Sequence, residues 1–287
     1  MPGEKIINFN DQSLDLKLRP NVWDEYVGQE SIKKNLQILL QAASQRSEPI
    51  EHLLFHGPAG LGKTTLAHLI AKESGSAIKI TSGPTIERVG DLASVLTNLS
   101  PGDILFIDEI HRLNKLIEEV LYSAMESRAL YIIIGKGPSA RTIQLELAPF
   151  TLIAATTRIA LLSSPLRSRF AGGTYRLNFY TPEEIQSILS RSAKILNINI
   201  EPEAKSEIAR RSRATPRIAN HLLKRCRDYA QVNNQNILDL KTTKNTFDLL
   251  EIDGEGLEAA DRRLLEILIT KFNGGPIGLQ TLSAATS

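Results

Sequence analysis

The sequence predicts an α/β fold with a buried parallel sheet, followed by domains built from helices. Three observations lead there. The apolar run Leu53-Leu54-Phe55 enters the glycine-rich stretch Gly57-Pro58-Ala59-Gly60-Leu61-Gly62-Lys63-Thr64-Thr65, which opens into the apolar residues 66–71. Downstream, Ile104-Leu105-Phe106-Ile107 runs into the acidic pair Asp108-Glu109. From Pro182 onward, apolar residues recur at helical spacing.

Strand, loop and helix in that order give the pattern G-x-x-x-x-G-K-[ST] its meaning. Glycines let backbone N–H groups turn inward and approach phosphate oxygens with no Cβ in the way. Lys63 places a positive charge on the β- and γ-phosphates, and the Thr64 hydroxyl ligates Mg²⁺. The N-terminus of the following helix adds its partial positive charge. A glycine loop that merely turns the chain needs neither the strand before it nor Lys63-Thr64 behind it, so the stretch reads as a nucleoside triphosphate site. The second apolar run matches a strand buried on both faces with its chemistry at the C-terminal end. There Asp108 is placed to hold Mg²⁺ through water and Glu109 to polarise the attacking water. An acidic pair at a strand end is often only a solvated turn. Following a phosphate loop, it reads as the other half of the same site.

Composition sets the frame. A chain of 287 residues allows about two or three domains with sizeable cores, and 42% apolar with 23% charged residues is ordinary for a globular protein. A net charge of +2 is too mild to point to nucleic acid by itself. The single cysteine, Cys226, rules out an internal disulfide framework and fits a reducing compartment; in an amphipathic stretch it reads as a small buried hydrophobe. No apolar run approaches the roughly 18 residues of a membrane span, and Met1-Pro2-Gly3-Glu4-Lys5 does not open a secretory signal. The expectation is a cytoplasmic protein with no membrane partner.

In chain order, residues 1–17 are polar and read as an irregular arm, and Pro20 and Gly28 bracket a bend with a short helical turn. Helical spacing follows over 31–46, a strand over 50–56, a helix to Ser74-Gly75, a strand over 77–81 and a helix over 90–98. Residues 113–127 read as an amphipathic helix with Leu116, Ile117, Val120, Leu121, Ala124 and Met125 on its apolar side. Two strand-like runs, 131–134 and 142–147, flank Gly135-Lys136-Gly137-Pro138-Ser139-Ala140 as a hairpin. Residues 151–155 form another buried strand ending in Thr156-Thr157-Arg158, and Ser164-Pro165-Leu166-Arg167-Ser168-Arg169-Phe170 is a turn bearing two arginines. In the helical half, Thr215-Pro216-Arg217 starts a helix with proline at a favoured first-turn position. Arg217 stands there against the helix dipole, which points to a task other than helix stability. Leu264, Leu265, Ile267 and Leu268 mark a helix ending at Phe272.

Phosphate loop, acidic strand end, threonine strand end, paired-arginine turn and arginine at a helix start stand in an order that resembles the AAA+ ATPases. Within that class the chain is similar to the motors that drive branch migration of Holliday junctions. The segments that carry this narrower resemblance are Leu18-Arg19-Pro20, Tyr26-Val27-Gly28-Gln29, Thr81-Ser82-Gly83-Pro84, FIDEIHRL at 106–113, the hairpin run at 134–141, PFTLIAATTR at 149–158 and Thr215-Pro216-Arg217-Ile218-Ala219-Asn220. It extends from residue 18 to the end of the sequence.

The resemblance implies roles residue by residue. Leu18 and Arg19 match adenine-side contacts; Gly60, Lys63, Thr64 and Thr65 match the phosphate and magnesium positions; Asp108 and Glu109 match the acidic pair. Thr156 matches the first sensor, with Thr157 the less favoured candidate. Arg169 falls at the arginine finger, which acts on a neighbouring subunit's ATP. Tyr180 and Arg217 match nucleotide contacts near the lid, Arg217 as second sensor. The helix end at Glu126, Ser127 and Arg128 is a further nucleotide-contact region, although Ser127 and Arg128 replace an acidic-aromatic pair. Ala59 replaces a second proline, and the segment Phe170-Ala171-Gly172-Gly173-Thr174 carries one extra residue behind Arg169.

The implied architecture is an arm over 1–17, an AAA+ P-loop NTPase domain over 18–180, a helical lid over 181–254 and an incomplete winged helix for DNA over 255–287. The implied function is ATP-driven branch migration in recombination and repair, with ATP or ADP and Mg²⁺ bound and ATP hydrolysed at the interfaces of a homo-hexamer. Its partners would be duplex DNA at Holliday junctions, RuvA through the hairpin from Gly135 to Ala140, and RuvC in a resolvasome. Two rivals stand beside this reading. A clamp-loader-type AAA+ switch is opposed by the 134–141 hairpin, and a non-hydrolysing ATP-bound structural subunit is opposed by intact Lys63, Asp108, Glu109 and Arg169.

Overall fold

The computed structural model describes residues 11–134 and 141–286. The expected hairpin tip, Gly135 to Ala140, lies outside the described residues. The chain divides into two compact units, Arg19–Asn178 and the combination of Met1–Leu18 with Phe179–Ser287.

Helix α1 (Asp11–Lys17) belongs to the second unit. The first unit then runs through α2 (Glu30–Arg46), β1 (Leu53–His56), α3 (Lys63–Glu73), β2 (Ile78–Ser82), α4 (Val89–Thr97) and β3 (Ile104–Asp108). It continues with α5 (Lys115–Ser127), β4 (Ala129–Ile134), β5 (Arg141–Glu146), β6 (Thr151–Thr156), α6 (Ser164–Arg167) and β7 (Gly173–Arg176). Five strands form one parallel sheet in the order β2-β3-β6-β1-β7. Its three inner strands are buried along nearly their whole length, which is why their sequences are unbroken apolar runs instead of alternating ones. The register pairs His56 with Thr156 and Ile107 with Ala154. The C-terminal ends of β1, β3 and β6 therefore meet at one sheet edge, where His56, Asp108 and Thr156 emerge together.

Strand β7 was not legible in the sequence. It is a four-residue edge strand with only half-burial at alternate positions, so no apolar run marks it. It is anchored at its entry by the Gly172 N–H donating to His52 O at 3.0 Å. In α5 the expected apolar face needs one correction: Leu116 is 63% exposed. The buried stripe is Ile117, Leu121, Ala124 and Met125, and Leu116 stands one residue, about 100°, off it. Strands β4 and β5 pair antiparallel from Ala129↔Glu146 to Ile134↔Arg141.

The second unit comprises α1, α7 (Pro182–Ile195), β8 (Asn199–Ile200), α8 (Pro202–Arg211), α9 (Pro216–Val232), β9 (Ile237–Leu238), α10 (Leu240–Leu249), α11 (Ala259–Phe272) and α12 (Leu279–Thr286). Residues 11–17, read as irregular, are helical. Their apolar content is too low to show a stripe, and polar contacts hold the segment: Lys224 Nζ meets Asp15 Oδ1 at 2.9 Å, and Arg191 Nη1 donates to Leu18 O at 2.7 Å. Thr181 and Glu184 form a capping box at the start of α7, with Pro182 at the first turn. The parallel pairing of β8 with β9 interrupts an otherwise helical unit and is too short to leave a sequence pattern. The core gathers Ile185, Leu189, Ala204, Ile208, Leu222, Leu223, Cys226 and Phe247. Burial pushes the Cys226 thiol up to about 12, as befits a small hydrophobe and not a nucleophile. Among the described residues no helix is long and apolar enough to cross a membrane.

Candidate active site

The phosphate loop is shaped by two close approaches. Gly57 adopts φ +135°, and a Cβ there would lie 2.6 Å from Leu177 O. Gly62, at φ +99°, caps α3, and a Cβ there would meet Tyr26 Oη at 2.9 Å. Only glycine fits either position. Between them Leu61 is fully buried and pins the loop. The Lys63 ammonium is buried and donates to Gly57 O at 2.9 Å and Pro58 O at 2.8 Å, so the loop curls around its own cation. Burial lowers the Lys63 pKa, and the carboxylates of Asp108 and Glu109 pull it back up. The same carboxylates thus favour the charged form that a phosphate requires. Thr64 and Thr65 are half-buried at the start of α3. His56, where β1 leaves the sheet, is held below its ordinary pKa by burial and then by Arg176 and Lys63, so it stays neutral beside the cation.

At the end of β3 the backbone turns sharply. Glu109 takes φ 49°, its N–H donates to Asp108 Oδ1 at 2.9 Å, and its carbonyl accepts from Arg112 N at 2.9 Å. Gly83 makes room for this turn, since a Cβ there would lie 2.3 Å from Glu109 O. At the Glu109 carboxylate, Thr157 Oγ1 donates to Oε2 at 3.2 Å and His111 Nδ1 lies 3.2 Å from the same oxygen. Thr156 is fully buried, 2.9 Å from His111 Nδ1, and accepts from Arg158 N at 3.0 Å. The structure therefore brings Lys63, Asp108, Glu109, Thr156 and Thr157 to one sheet edge. Sequence reasoning gave no role to His111, although it stands in the FIDEIHRL run two residues after Glu109.

A second group lies at the opposite edge. Arg169 Nη2 donates to Glu126 Oε2 at 2.7 Å, Nη1 donates to Pro165 O at 3.0 Å and Ser168 Oγ at 3.2 Å, and the guanidinium sits 5.0 Å from the Tyr122 ring centroid. Arg169 lines a cleft of about 270 Å³ with Glu51, His52, Glu126, Arg128 and Phe150. Residues 51 and 52 precede β1, whereas the phosphate loop follows it. At roughly 3.3 Å per residue the strand separates the two groups by on the order of 15 Å. His52 closes the floor of the cleft, with Nδ1 accepting from Leu152 N at 2.8 Å. Burial holds its pKa low against a raising hydrogen bond to the Met125 backbone. Glu126, Ser127 and Arg128 are all exposed where α5 ends, and Arg128 takes the left-handed φ of a helix stop. Arg19 belongs to the first unit. Leu18, Tyr180 and Arg217 belong to the second, where Leu18 and Tyr180 are buried and Arg217 is exposed at the second position of α9.

A parallel-sheet P-loop domain with an acidic strand end, joined in sequence to a helical lid, defines an AAA+ ATPase. The comparisons then narrow the class. The family models described as Holliday junction DNA helicase RuvB P-loop domain and RuvB AAA lid domain match residues 18–177 and 180–253. The chain belongs to the RuvB family. It is similar to the solved structure of the Thermotoga maritima RuvB Holliday junction branch migration motor, at 47% identity over 94% of this chain and 85% of that one, with a TM-score of 0.85. Lysine-to-arginine and arginine-to-alanine mutants of Thermotoga maritima RuvB match at the same identity over 93% of this chain and 85% of theirs, with TM-scores of 0.86 and 0.84. As a member of the family, this chain is a nucleotide-binding ATPase of the branch-migration motor class.

Proposed function

We propose that this chain hydrolyses ATP at the interfaces of a homo-hexameric ring and uses the cycle to draw duplex DNA through a Holliday junction. The observation that carries the reading is the separation of Arg169 from its own phosphate loop by the length of β1. An arginine that cannot reach its own site, held beside a cleft at the far sheet edge, is suited to a neighbour's γ-phosphate. In this reading Gly60 and the loop N–H groups cradle the phosphates, Lys63 neutralises them, and Thr65 supports them from the helix start. Glu109 orients the attacking water, Thr156 senses the γ-phosphate, and Glu126, Ser127 and Arg128 meet the neighbour's nucleotide beside Arg169. Family resemblance supports Leu18, Arg19 and Tyr180 as nucleotide contacts and Arg217 as second sensor.

Mg²⁺ fits the donors present. One hydroxyl (Thr64) and one carboxylate (Asp108) leave the remaining positions to phosphate oxygens and water, as a small, reluctantly dehydrated ion prefers. Asp108 commits Oδ1 to the Glu109 N–H, so its other oxygen is the one for metal-bound water. Among the described residues no cluster of three acidic, histidine or cysteine ligands suggests another kind of metal centre. When bound, the ion neutralises charge on the β- and γ-phosphates.

Duplex contacts would fall mainly on phosphates, and residues 255–287 are assigned to a winged-helix DNA-binding domain. RuvA would dock on the β4–β5 hairpin, whose Tyr131 and Ile143 are large exposed apolar residues, and RuvC would join the resolving complex. The compartment is the cytoplasm. Subunit mixing tests the ring. Arg169→Ala and Lys63→Ala should each be nearly inactive in phosphate release, Arg169→Ala by on the order of 10³-fold. Mixed together they should regain activity, because an intact Arg169 then faces an intact Lys63. Mixed rings that form without recovery would overturn the trans assignment.

A further inference from the structure

We infer that one side of α5, formed by Glu118, Tyr122 and Glu126, sets Arg169 in place for a neighbouring subunit's phosphate, with Glu118 and Tyr122 as positioning residues. This rests on the reading of Arg169 as a finger that acts in trans. The three residues stand at i, i+4 and i+8, so they follow one another along one side of the helix over about 12 Å. Each meets a different part of the segment that ends in Arg169. Glu118 Oε1 accepts from Ser163 N at 2.9 Å, at the residue that caps α6. The Arg169 guanidinium lies 5.0 Å from the Tyr122 ring centroid. Glu126 Oε2 accepts from Arg169 Nη2 at 2.7 Å.

Glu118 distinguishes this side from a solvated face. It is a carboxylate only 7% exposed, on a helix whose other buried residues, Ile117, Leu121, Ala124 and Met125, are apolar. Burying such a group is costly without a hydrogen-bond partner, and here the partner is the Ser163 N–H. That N–H lies just ahead of the single turn α6, whose own bonds carry the position on to Arg169. Arg167 N donates to Ser163 O, Ser168 N to Ser164 O and Arg169 N to Leu166 O, each at 3.1 Å. Leu166 is fully buried in the same apolar cluster as Ile117 and Leu121, which fixes the middle of the turn against α5. At the far end the terminal nitrogens of Arg169 make three hydrogen bonds, to Pro165 O, Ser168 Oγ and Glu126 Oε2, so the guanidinium plane is set in advance. The Tyr122 ring supports that plane, because its quadrupole attracts a cation. A group arranged beforehand loses little freedom when it meets a phosphate. Loosening either end shifts the tip, and a misplacement of about 1 Å can cost on the order of 10²-fold in turnover.

The test is steady-state phosphate release on the full chain, for each variant alone and for mixtures of two. The variants are Glu118→Ala, Glu118→Gln, Tyr122→Leu and Tyr122→Phe. Glutamine keeps an oxygen to accept from Ser163 N, and phenylalanine keeps the ring face. Glu118→Ala and Tyr122→Leu should each lower kcat by about 10- to 100-fold, with affinity for a fluorescent ATP analogue near the parent's. Glu118→Gln and Tyr122→Phe should stay within a few-fold of the parent. Mixing locates the defect. Glu118→Ala or Tyr122→Leu subunits keep an intact Lys63, so they should regain activity with Lys63→Ala, whose Arg169 is intact, and none with Arg169→Ala. Parental kcat in Glu118→Ala or in Tyr122→Leu would overturn the inference, as would equal losses in the conservative variants. So would recovery with Arg169→Ala, which puts the defect in the variant's own site, or recovery with neither partner, which is general damage. Tyr122→Leu leaves the Glu118 hydrogen bond in place, so it carries the test even where Glu118→Ala does not fold. Lys63→Ala mixed with Arg169→Ala separates the two layers: if that pair forms mixed rings without recovery, the trans reading fails and the inference falls with it. If that pair recovers while the variants give the wrong pattern, only the inference fails.

Discussion

In the unit Arg19–Asn178 the buried polar groups other than Glu118 stand at the two ends of the sheet, Lys63 and Thr156 beside the phosphate loop and Asp103 and Thr151 at the strand starts, whereas in the lid unit an arginine with its carboxylate is buried among the helices. The first unit spends its burial on three unbroken apolar strands and one buried cation, Lys63, curled into its own loop. Its perturbed groups besides that cation are mainly histidines kept neutral. His52, His56 and His68 are each held below the ordinary value, first by burial and then by nearby Arg128, by Arg176 and Lys63, and by Arg19. The lid unit relies on arginine with carboxylate. Arg211 lies 2.7 Å from Glu207 Oε1, donates to Ile252 O at 2.9 Å and stacks 4.6 Å from the Phe247 ring centroid. Arg213 bridges Gly256 O and Asp261. A parallel apolar sheet gives a rigid platform whose strand ends cannot drift, as hydrolysis needs. Helices of modest apolar face, linked by guanidinium forks, leave the lid dependent on charge for its internal order.

The sharpest way to break this comparison is the same substitution in each unit. Gly57→Ala forces a Cβ to 2.6 Å from Leu177 O, and Gly256→Ala forces one to 2.3 Å from Arg211 O, each at positive φ. Both should destabilise their own unit by roughly 2–3 kcal/mol. Only Gly57→Ala should abolish nucleotide binding, because the displaced loop carries the phosphate contacts. Trp23, the single tryptophan, reports melting of the first unit, and amide hydrogen exchange reports the lid. If Gly256→Ala lost ATP affinity as severely, the division of labour would be wrong.

A smaller effect is expected from Arg211→Met, which keeps the stem and removes the fork. Both partners are about nine-tenths buried, so an uncompensated Glu207 is costly, but Arg210 also reaches it at 2.9 Å. We expect a loss of about 2 kcal/mol confined to the lid, read by exchange at α8 and α10. A loss of first-unit protection of the same size would show that the lid's charges also hold the P-loop unit.

The smallest effect is on acid sensitivity, and its order distinguishes the units. The three histidines bind protons less readily when folded than the ordinary value of 6.5 allows, so the unfolded chain takes up protons first as pH falls. Stability of the first unit is therefore full above about pH 6.5 and declines below it. In the lid, burial raises Glu207 but hydrogen bonds from Arg210 and Arg211 carry it below 4.5 on balance. Asp239, Asp253 and Asp261 are lowered from 3.8 chiefly by hydrogen bonds from Thr242, from the Leu257 N–H and from the Glu258 N–H. These contributions persist at mild acidity and fade only as pH falls through the lowered carboxylate values. Trp23 fluorescence should therefore show softening near pH 6 while lid amides remain protected. Simultaneous loss of both would contradict the contrast.

The sequence by itself determined the strands that carry the phosphate loop and Asp108-Glu109, and the helical character of the lid. Each of these rests on residues adjacent along the chain, where covalent spacing already dictates geometry: glycines beside Lys63, apolar runs into an acidic pair, proline one residue before Arg217. Tertiary structure decided the rest. Strand β7 exists because β1 offers an open edge to pair with; Thr174 and Tyr175 suit a strand, but four half-exposed residues form no pattern long enough to mark one. Helix α1 is held by Lys224, far along the chain, and its own composition gives no sign of this. The hydrogen bond from Thr157 to Glu109, and the pairing of Arg169 with Glu126 at the opposite end of β1, depend on side-chain directions set by packing. Spacing along a sequence fixes which residues are neighbours on one element; only the folded sheet fixes which edge of it each element's end will reach.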